Sequence, residues 1–206
     1  MSTTYPSTEA RRAGVVGAAS ATTESIGGIV VIILAILALV GVLPMVLAAV
    51  AGIVFGVDFI VEGAALAARR SAVAARSEQP LDQIDGGVTV ELVGGLAAIV
   101  LGVLALIGVA PTVLMGALVI TGGAGLILSI GVVGGVGGLG GSVPMPSASA
   151  AHLMAGIAAV VLGILALVRP EFTTVLSTVG LLVLGASLTL SGTAFSSAML
   201  RLFSRA

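Results

Sequence analysis

The sequence predicts an all-α integral membrane protein with six transmembrane helices, built as three tandem helical-hairpin repeats. Three observations predict it. Of the 206 residues, 58% are hydrophobic and 8% charged, where an ordinary soluble domain has about 45–50% and about 25%. Six apolar stretches approach the roughly 20 residues that carry a helix across hydrocarbon about 30 Å thick. One phrase also recurs: "ILAILALVGVLP" at Ile33–Pro44, "VLGVLALIGVAP" at Val100–Pro111 and "VLGILALVRP" at Val161–Pro170.

The six stretches are Ile26–Leu43, Met45–Ala67, Leu92–Ala110, Thr112–Ile130, Leu153–Val168 and Phe172–Thr193. None alternates between apolar and polar residues as a barrel strand does, so helices are expected. They divide the chain into a polar, Ser/Thr-rich tail (1–25), a first hairpin (26–67), a charged linker (68–90) and a second hairpin (91–130). A Gly-rich linker (131–151), a third hairpin (152–194) and a C-terminal end (195–206) follow. The first apolar run is too long for a signal-peptide core. It is also the first copy of the repeat, and is expected to be retained.

Odd helices superimpose at offsets of 67 and 61 residues: Gly28, Gly95 and Gly156; Ala35, Gly102 and Gly163; Ala38, Ala105 and Ala166. A fixed period marks a repeated supersecondary unit. Small residues spaced seven apart, with another between, form one face along which helix backbones approach closely in lipid. Even helices carry Gly56 and Gly63, Gly123, and Gly185 and Gly192. Each even helix is expected to turn this glycine stripe towards the odd helix of its own hairpin.

All eight basic residues are arginine. With six crossings, Arg11, Arg12, Arg69, Arg70, Arg76, Arg201 and Arg205 share one side and Arg169 lies on the other. The positive-inside rule makes the arginine-rich side cytoplasmic, so both termini are expected in the cytoplasm. The arginines of the first linker read either as a solvated loop or as contacts of Arg69, Arg70 and Arg76 with anionic lipid headgroups.

The segment "GIAAVVLGILALVRPEFTTVLSTVGLLVLGASLTLSG", Gly156–Gly192, resembles the short membrane repeat of the HdeD-like proteins, a bacterial family associated with acid resistance. Its parts are a glycine-started helix, a "LGILAL" centre, a proline turn and an apolar helix ending in Ser-Gly. Copy 1 ends instead in Glu62-Gly63 and copy 2 in Ser129-Ile130. The resemblance implies a multi-pass bacterial inner-membrane protein with a part in stress or acid tolerance, and supplies no catalytic residues.

Few residues are left to carry chemistry. There is no cysteine and one histidine, so thiolate sites and imidazole clusters are excluded, and neither a metal nor a cofactor is expected. Gly135, Gly137 and Gly140 spell GxGxxG without the strand, helix and distal acid of a dinucleotide site, and read as a flexible Gly tract. No nucleophile stands with a base, so an enzyme is not expected. No aromatic platform for nucleic acid is present.

Asp58 and Glu62 are the informative pair. Four residues apart, they share a helix face inside a crossing where a charge costs at least about 2.5 kcal/mol. Their counterparts are Gly125 and Ser187, and Ser129 and Ser191. One reading is a proton or cation foothold. The other is that Glu62 snorkels to the interface while Asp58 bonds a neighbouring helix. Pointing away from Gly56 and Gly63, the pair is expected to face another hairpin or another subunit, which suggests a homo-oligomer. Glu24, Glu91 and His152 share one repeat position at the cytoplasmic start of helices 1, 3 and 5, as first-turn anchors or as a titratable collar. The expected function is non-enzymatic, acting through assembly in the bilayer. The alternative is a small proton, cation or solute channel or transporter using Asp58 and Glu62.

Overall fold

The computed structural model describes residues 25–77, 85–134 and 147–203. These residues form six α-helices and no strand: α1 (Ser25–Leu39), α2 (Pro44–Ser77), α3 (Asp85–Leu106), α4 (Pro111–Gly134), α5 (Ser147–Val168) and α6 (Thr173–Phe203). Four of them, α2, α4, α5 and α6, contain runs long and apolar enough to cross a membrane. The apolar runs of α1 and α3 are shorter, Ser25–Leu39 and Val90–Leu106, or about 22 and 26 Å at about 1.5 Å per residue.

The helices overrun the apolar stretches. α2 continues through Arg69, Arg70 and Arg76 to Ser77, and α3 starts at Asp85. The segment expected as a charged linker is therefore helical over most of its length. The run "AALAARRSAVAAR" at 64–76, which carries α2 into that segment, is nearly all Ala, Leu and Arg, strong helix formers. Hydropathy marks where lipid ends, and helix propensity carries the backbone further. α5 likewise begins at Ser147, inside the segment expected as a Gly-rich linker.

The first two hairpin turns share one design. Gly41 and Gly108 have φ of 96° and 87°. The bonds Val42 N–H to Leu37 O and Gly41 N–H to Ala38 O, both 3.1 Å, repeat as Val109 to Leu104 and Gly108 to Ala105. This is the glycine-terminated Schellman motif, followed by the proline that opens the next helix. The third turn has no glycine. A 3-10 turn, Pro170–Phe172, takes its place, and the Thr173 hydroxyl donates to the Ala166 carbonyl at 2.8 Å.

The small-residue stripe is buried in all three odd helices. Val31, Ala98 and Ala159 are fully buried, as are Ala38, Ala105 and Ala166 to within a few per cent. What it packs against differs from expectation. Methyl groups added at Gly56 and Gly95 would lie 2.6 Å from each other's backbone carbonyl oxygens, so α2 meets α3 of the next hairpin. Gly123 and Gly156 join α4 to α5 in the same way, at 2.6 and 2.8 Å. Gly28 and Gly185 join α1 to α6, at 2.7 and 3.0 Å. The glycine seams thus lie between hairpins rather than within them. The last of these seams returns to the first helix, so the helices close a ring.

Inside the ring α2, α4 and α6 touch one another through equivalent residues. Phe59, Leu126 and Leu188 are each at most 1% exposed, and Phe55 and Leu184 are fully buried. The rings of Phe55 and Phe59 stack at 5.6 Å. Outside, the odd helices present matching apolar faces: Ile33, Val100 and Val161 are 51, 54 and 51% exposed, and Ile26, Val93 and Met154 are 58, 60 and 67% exposed. A hydrophobic exterior around a packed core is what lipid as solvent permits.

Candidate functional site

Asp58, Glu62 and Glu91 gather at the end of the bundle where α2 leaves the core and α3 enters it. Asp58 is 4% exposed. Its carboxyl lies on Gly27 of α1, where an added methyl would come within 2.5 Å of Cγ, 2.6 Å of Oδ1 and 2.7 Å of Oδ2. Gly27 and Gly28 therefore have separate duties. The first admits the carboxylate of its own hairpin, and the second admits the backbone of α6.

This corrects the expected orientation of Asp58. The side chain does turn away from Gly56, but towards α1 of its own hairpin, within one chain. A second subunit is not needed to hide it. Glu62, one turn on, is half-buried.

Glu91 is 2% exposed and seats against Gly63 of α2, where an added methyl would meet its Cβ at 2.8 Å and Oε2 at 3.1 Å. As a neighbour in sequence of Gly63, Glu62 belongs to the same level of the bundle. Asp58, Glu62 and Glu91 thus bring three carboxylates to one end of α1, α2 and α3. Glu91, read from the sequence as a first-turn anchor or part of a titratable collar, is thus buried in the α2–α3 seam. The glycine spacing that joins α2 to α3 sets Glu91 opposite Gly63 and draws it into the seam. His152 is half-buried, its ring bonding the backbone of Ser187 on α6. Its Nε2 and the Ser187 hydroxyl are buried without hydrogen-bond partners. Glu24, Gly135, Gly137 and Gly140 lie outside the described residues, as do the surroundings of Gly192.

The other positions described at this level are neutral. Ser129, matching Glu62, donates to the Leu126 carbonyl at 2.9 Å. Thr189 donates to Gly185 at 2.8 Å beside Gly28. Gly125, matching Asp58, faces the Phe59 ring, with 2.8 Å between an added methyl and Cε1. Among the described residues, the first hairpin has Asp58 and Glu62 where the second has Gly125 and Ser129, and the second contributes a carboxylate at this level from the start of α3, Glu91. Among the described residues, no group of three or more His, Cys, Asp or Glu is arranged to hold a metal ion.

Sequence reasoning missed Gly27 and Phe59. The doublets Gly27-Gly28 and Gly94-Gly95 carried a signal for the first: adjacent helical residues face about 100° apart, so two glycines in a row imply two close neighbours rather than one. No protein-family model, no curated protein and no solved structure matches this chain, so its likeness to the HdeD-like proteins rests on the repeated motif alone.

Proposed function

We propose that this chain is a non-enzymatic, multi-pass protein of the bacterial inner membrane, of the HdeD-like type, in which all six helices cross the bilayer and both termini are cytoplasmic. The observation that carries the reading is the ring of equivalent apolar faces: three odd helices expose the same positions to the same degree around a core of three even helices. Water offers no reason for such a surface, and lipid does. The arginine distribution sets the orientation. The HdeD-like motif supports a part in acid or stress tolerance, exercised through the bundle's persistence in the membrane. The expected test is survival of an acid challenge by cells lacking the gene, restored by the wild-type chain. Equal survival with and without the gene would count against that role. Homo-oligomerisation remains part of the proposal, carried by the apolar exterior and not by Asp58 and Glu62.

A second reading, a proton or cation pathway, is favoured by one observation: two buried carboxylates, Asp58 and Glu91, flank half-buried Glu62 where three helices meet. Paired carboxylates raise each other's proton affinity, and intramembrane acids mark ion pathways. Against an axial channel stand Phe55, Phe59, Leu126, Leu184 and Leu188, which fill the space between the even helices. Flux into proteoliposomes separates the readings. Proton or cation movement that fails on Asp58→Asn and Glu91→Gln would establish the pathway.

A further inference from the structure

Apolar side chains do not stop where the first two hairpins turn. From Ile26 to Val57 no side chain carries a nitrogen or oxygen, and the same holds from Leu92 to Pro111. Both runs pass straight through a turn. Turns that face water draw on Asn, Asp and Ser beside Gly and Pro, and these two keep only the Gly and Pro. Their side chains also point outwards. Val40, Ile107 and Val168, which share one repeat position at the turns, are 75, 68 and 66% exposed, more than Ile33, Val100 and Val161 further down the same helices. The turn backbone closes on itself as well. The amides of Val40, Gly41 and Val42 donate to the carbonyls of Ile36, Ala38 and Leu37, and those of Ile107, Gly108 and Val109 to Val103, Ala105 and Leu104. Backbone that enters lipid has to satisfy its polar groups internally, and these amides do so without water.

We infer that the outer end of the ring docks into the outer leaflet: the turns seat at the boundary between acyl chains and headgroups and do not stand in the water beyond. The inference rests on the membrane reading above. Continuity favours lipid as the occupant, because no polar residue separates the tips of the first two hairpins from the apolar flanks below them. Length favours it too. Along α2, Pro44 to Arg69 spans about 37 Å at about 1.5 Å per residue, less than the roughly 40–45 Å of a bilayer with both headgroup layers. With the backbone at Arg69 among the cytoplasmic headgroups, Pro44 stops short of the outer water. At the third turn Arg169 and Glu171 pair at 3.6 Å with both side chains exposed, beside exposed Val168 and Phe172. Charges of both signs over an apolar rim suit the level of headgroup phosphate and amine. Gly41 and Gly108, at the apices, have open space around them and come level with the headgroups, where reagents added outside reach them.

The test is power-saturation electron paramagnetic resonance on the full chain in proteoliposomes of phosphatidylethanolamine and phosphatidylglycerol. Single spin-labelled cysteines replace Val40, Ile107 and Val168 at the tips, Ile33 and Val100 on the flanks, and Ser77 as the aqueous reference. The tips are expected to match the flanks in accessibility to oxygen and to lose most of the accessibility to a water-soluble nickel chelate that Ser77 shows. Nickel accessibility at Val40 and Ile107 equal to that at Ser77 would put the turns in water. Low accessibility to both reagents would mean that protein covers them. Either result would overturn the inference while oxygen-rich flanks leave the membrane reading in place. Nickel accessibility at Ile33 and Val100 as high as at Ser77 would overturn both.

Discussion

Two neighbouring glycines on α3 separate the effect of the inter-hairpin seam from everything else a glycine does. A methyl at Gly95 would lie 2.6 Å from the Gly56 carbonyl oxygen and 3.1 Å from the Ile60 backbone nitrogen. Both atoms belong to the α2 backbone, which cannot turn aside. Restoring ordinary contact, which begins near 3.4 Å, needs α2 and α3 to separate by about 0.8 Å. Overpacking of this kind costs about 1–3 kcal/mol. A methyl at Gly94 meets only the edge of the Phe59 ring at 3.1 Å, and a few tenths of an ångström of ring movement relieves it. Both substitutions gain the same roughly 0.5–1 kcal/mol of helix preference over glycine, so the gain cancels in the comparison. Gly94→Ala should therefore be neutral or slightly stabilising, and Gly95→Ala less stable than Gly94→Ala by about 1–3 kcal/mol. Unfolding by SDS titration in mixed micelles, followed by circular dichroism, measures both. Variants that agree within about 0.5 kcal/mol would refute the backbone-limited seam.

Further outcomes follow from the same geometry. Gly123→Ala should behave as Gly95→Ala does, since its methyl would lie 2.6 Å from the Gly156 carbonyl; a melting temperature equal to wild type would break the equivalence of the seams. Gly108→Ala should cost about 1 kcal/mol by forcing a side chain into the left-handed region that Gly108 occupies with φ of 87°, and Gly108→Asn less, because asparagine tolerates αL; thermal melts of both check the order. Asp58→Asn keeps the shape seated on Gly27 and should fold normally, whereas Asp58→Leu should lose about 1–3 kcal/mol without altering the oligomer distribution. A mass shift in Asp58→Leu at unchanged stability would instead restore an intersubunit role for this face. Single cysteines at Ser77 and Ser204 should be labelled from the cytoplasm and one at Gly108 from outside; external labelling at Ser77 would contradict the six-crossing topology.

What could be read in the sequence was the repeat, and with it the buried face. Gly95, Ala98, Gly102 and Ala105 mark a close-packing stripe, because lipid removes the hydrophobic reason for burial and leaves only small residues to signal it. The partner of that stripe was not legible. A face that repeats in every copy fits either helix beside it, and only the closed geometry assigns α3 to α2 and α1 to α6. Helix ends escaped for another reason: Ala64–Ser77 is polar enough to leave the membrane yet strongly helical, so hydropathy and backbone part company there. The candidate site was half legible. Asp58 stood out as an acid in an apolar run, but its seat on Gly27 depends on the rotation of α2, and the approach of Glu91 to Gly63 depends on contact between hairpins.

Ring closure at the α1–α6 seam is tested most directly by three spin-label pairs in a chain with no native cysteine. Val61 with Val93 spans α2–α3, Leu128 with Met154 spans α4–α5, and Leu190 with Ile26 spans α6–α1, each pair related to the others by the repeat offsets. Double electron–electron resonance in nanodiscs should give the same distance for all three, because a closed pseudo-threefold bundle makes the uncovalent seam equal to the two linked ones. A Leu190–Ile26 distance longer than the other two by a helix diameter, about 10 Å, would mean that the hairpins form an open array and would contradict the ring.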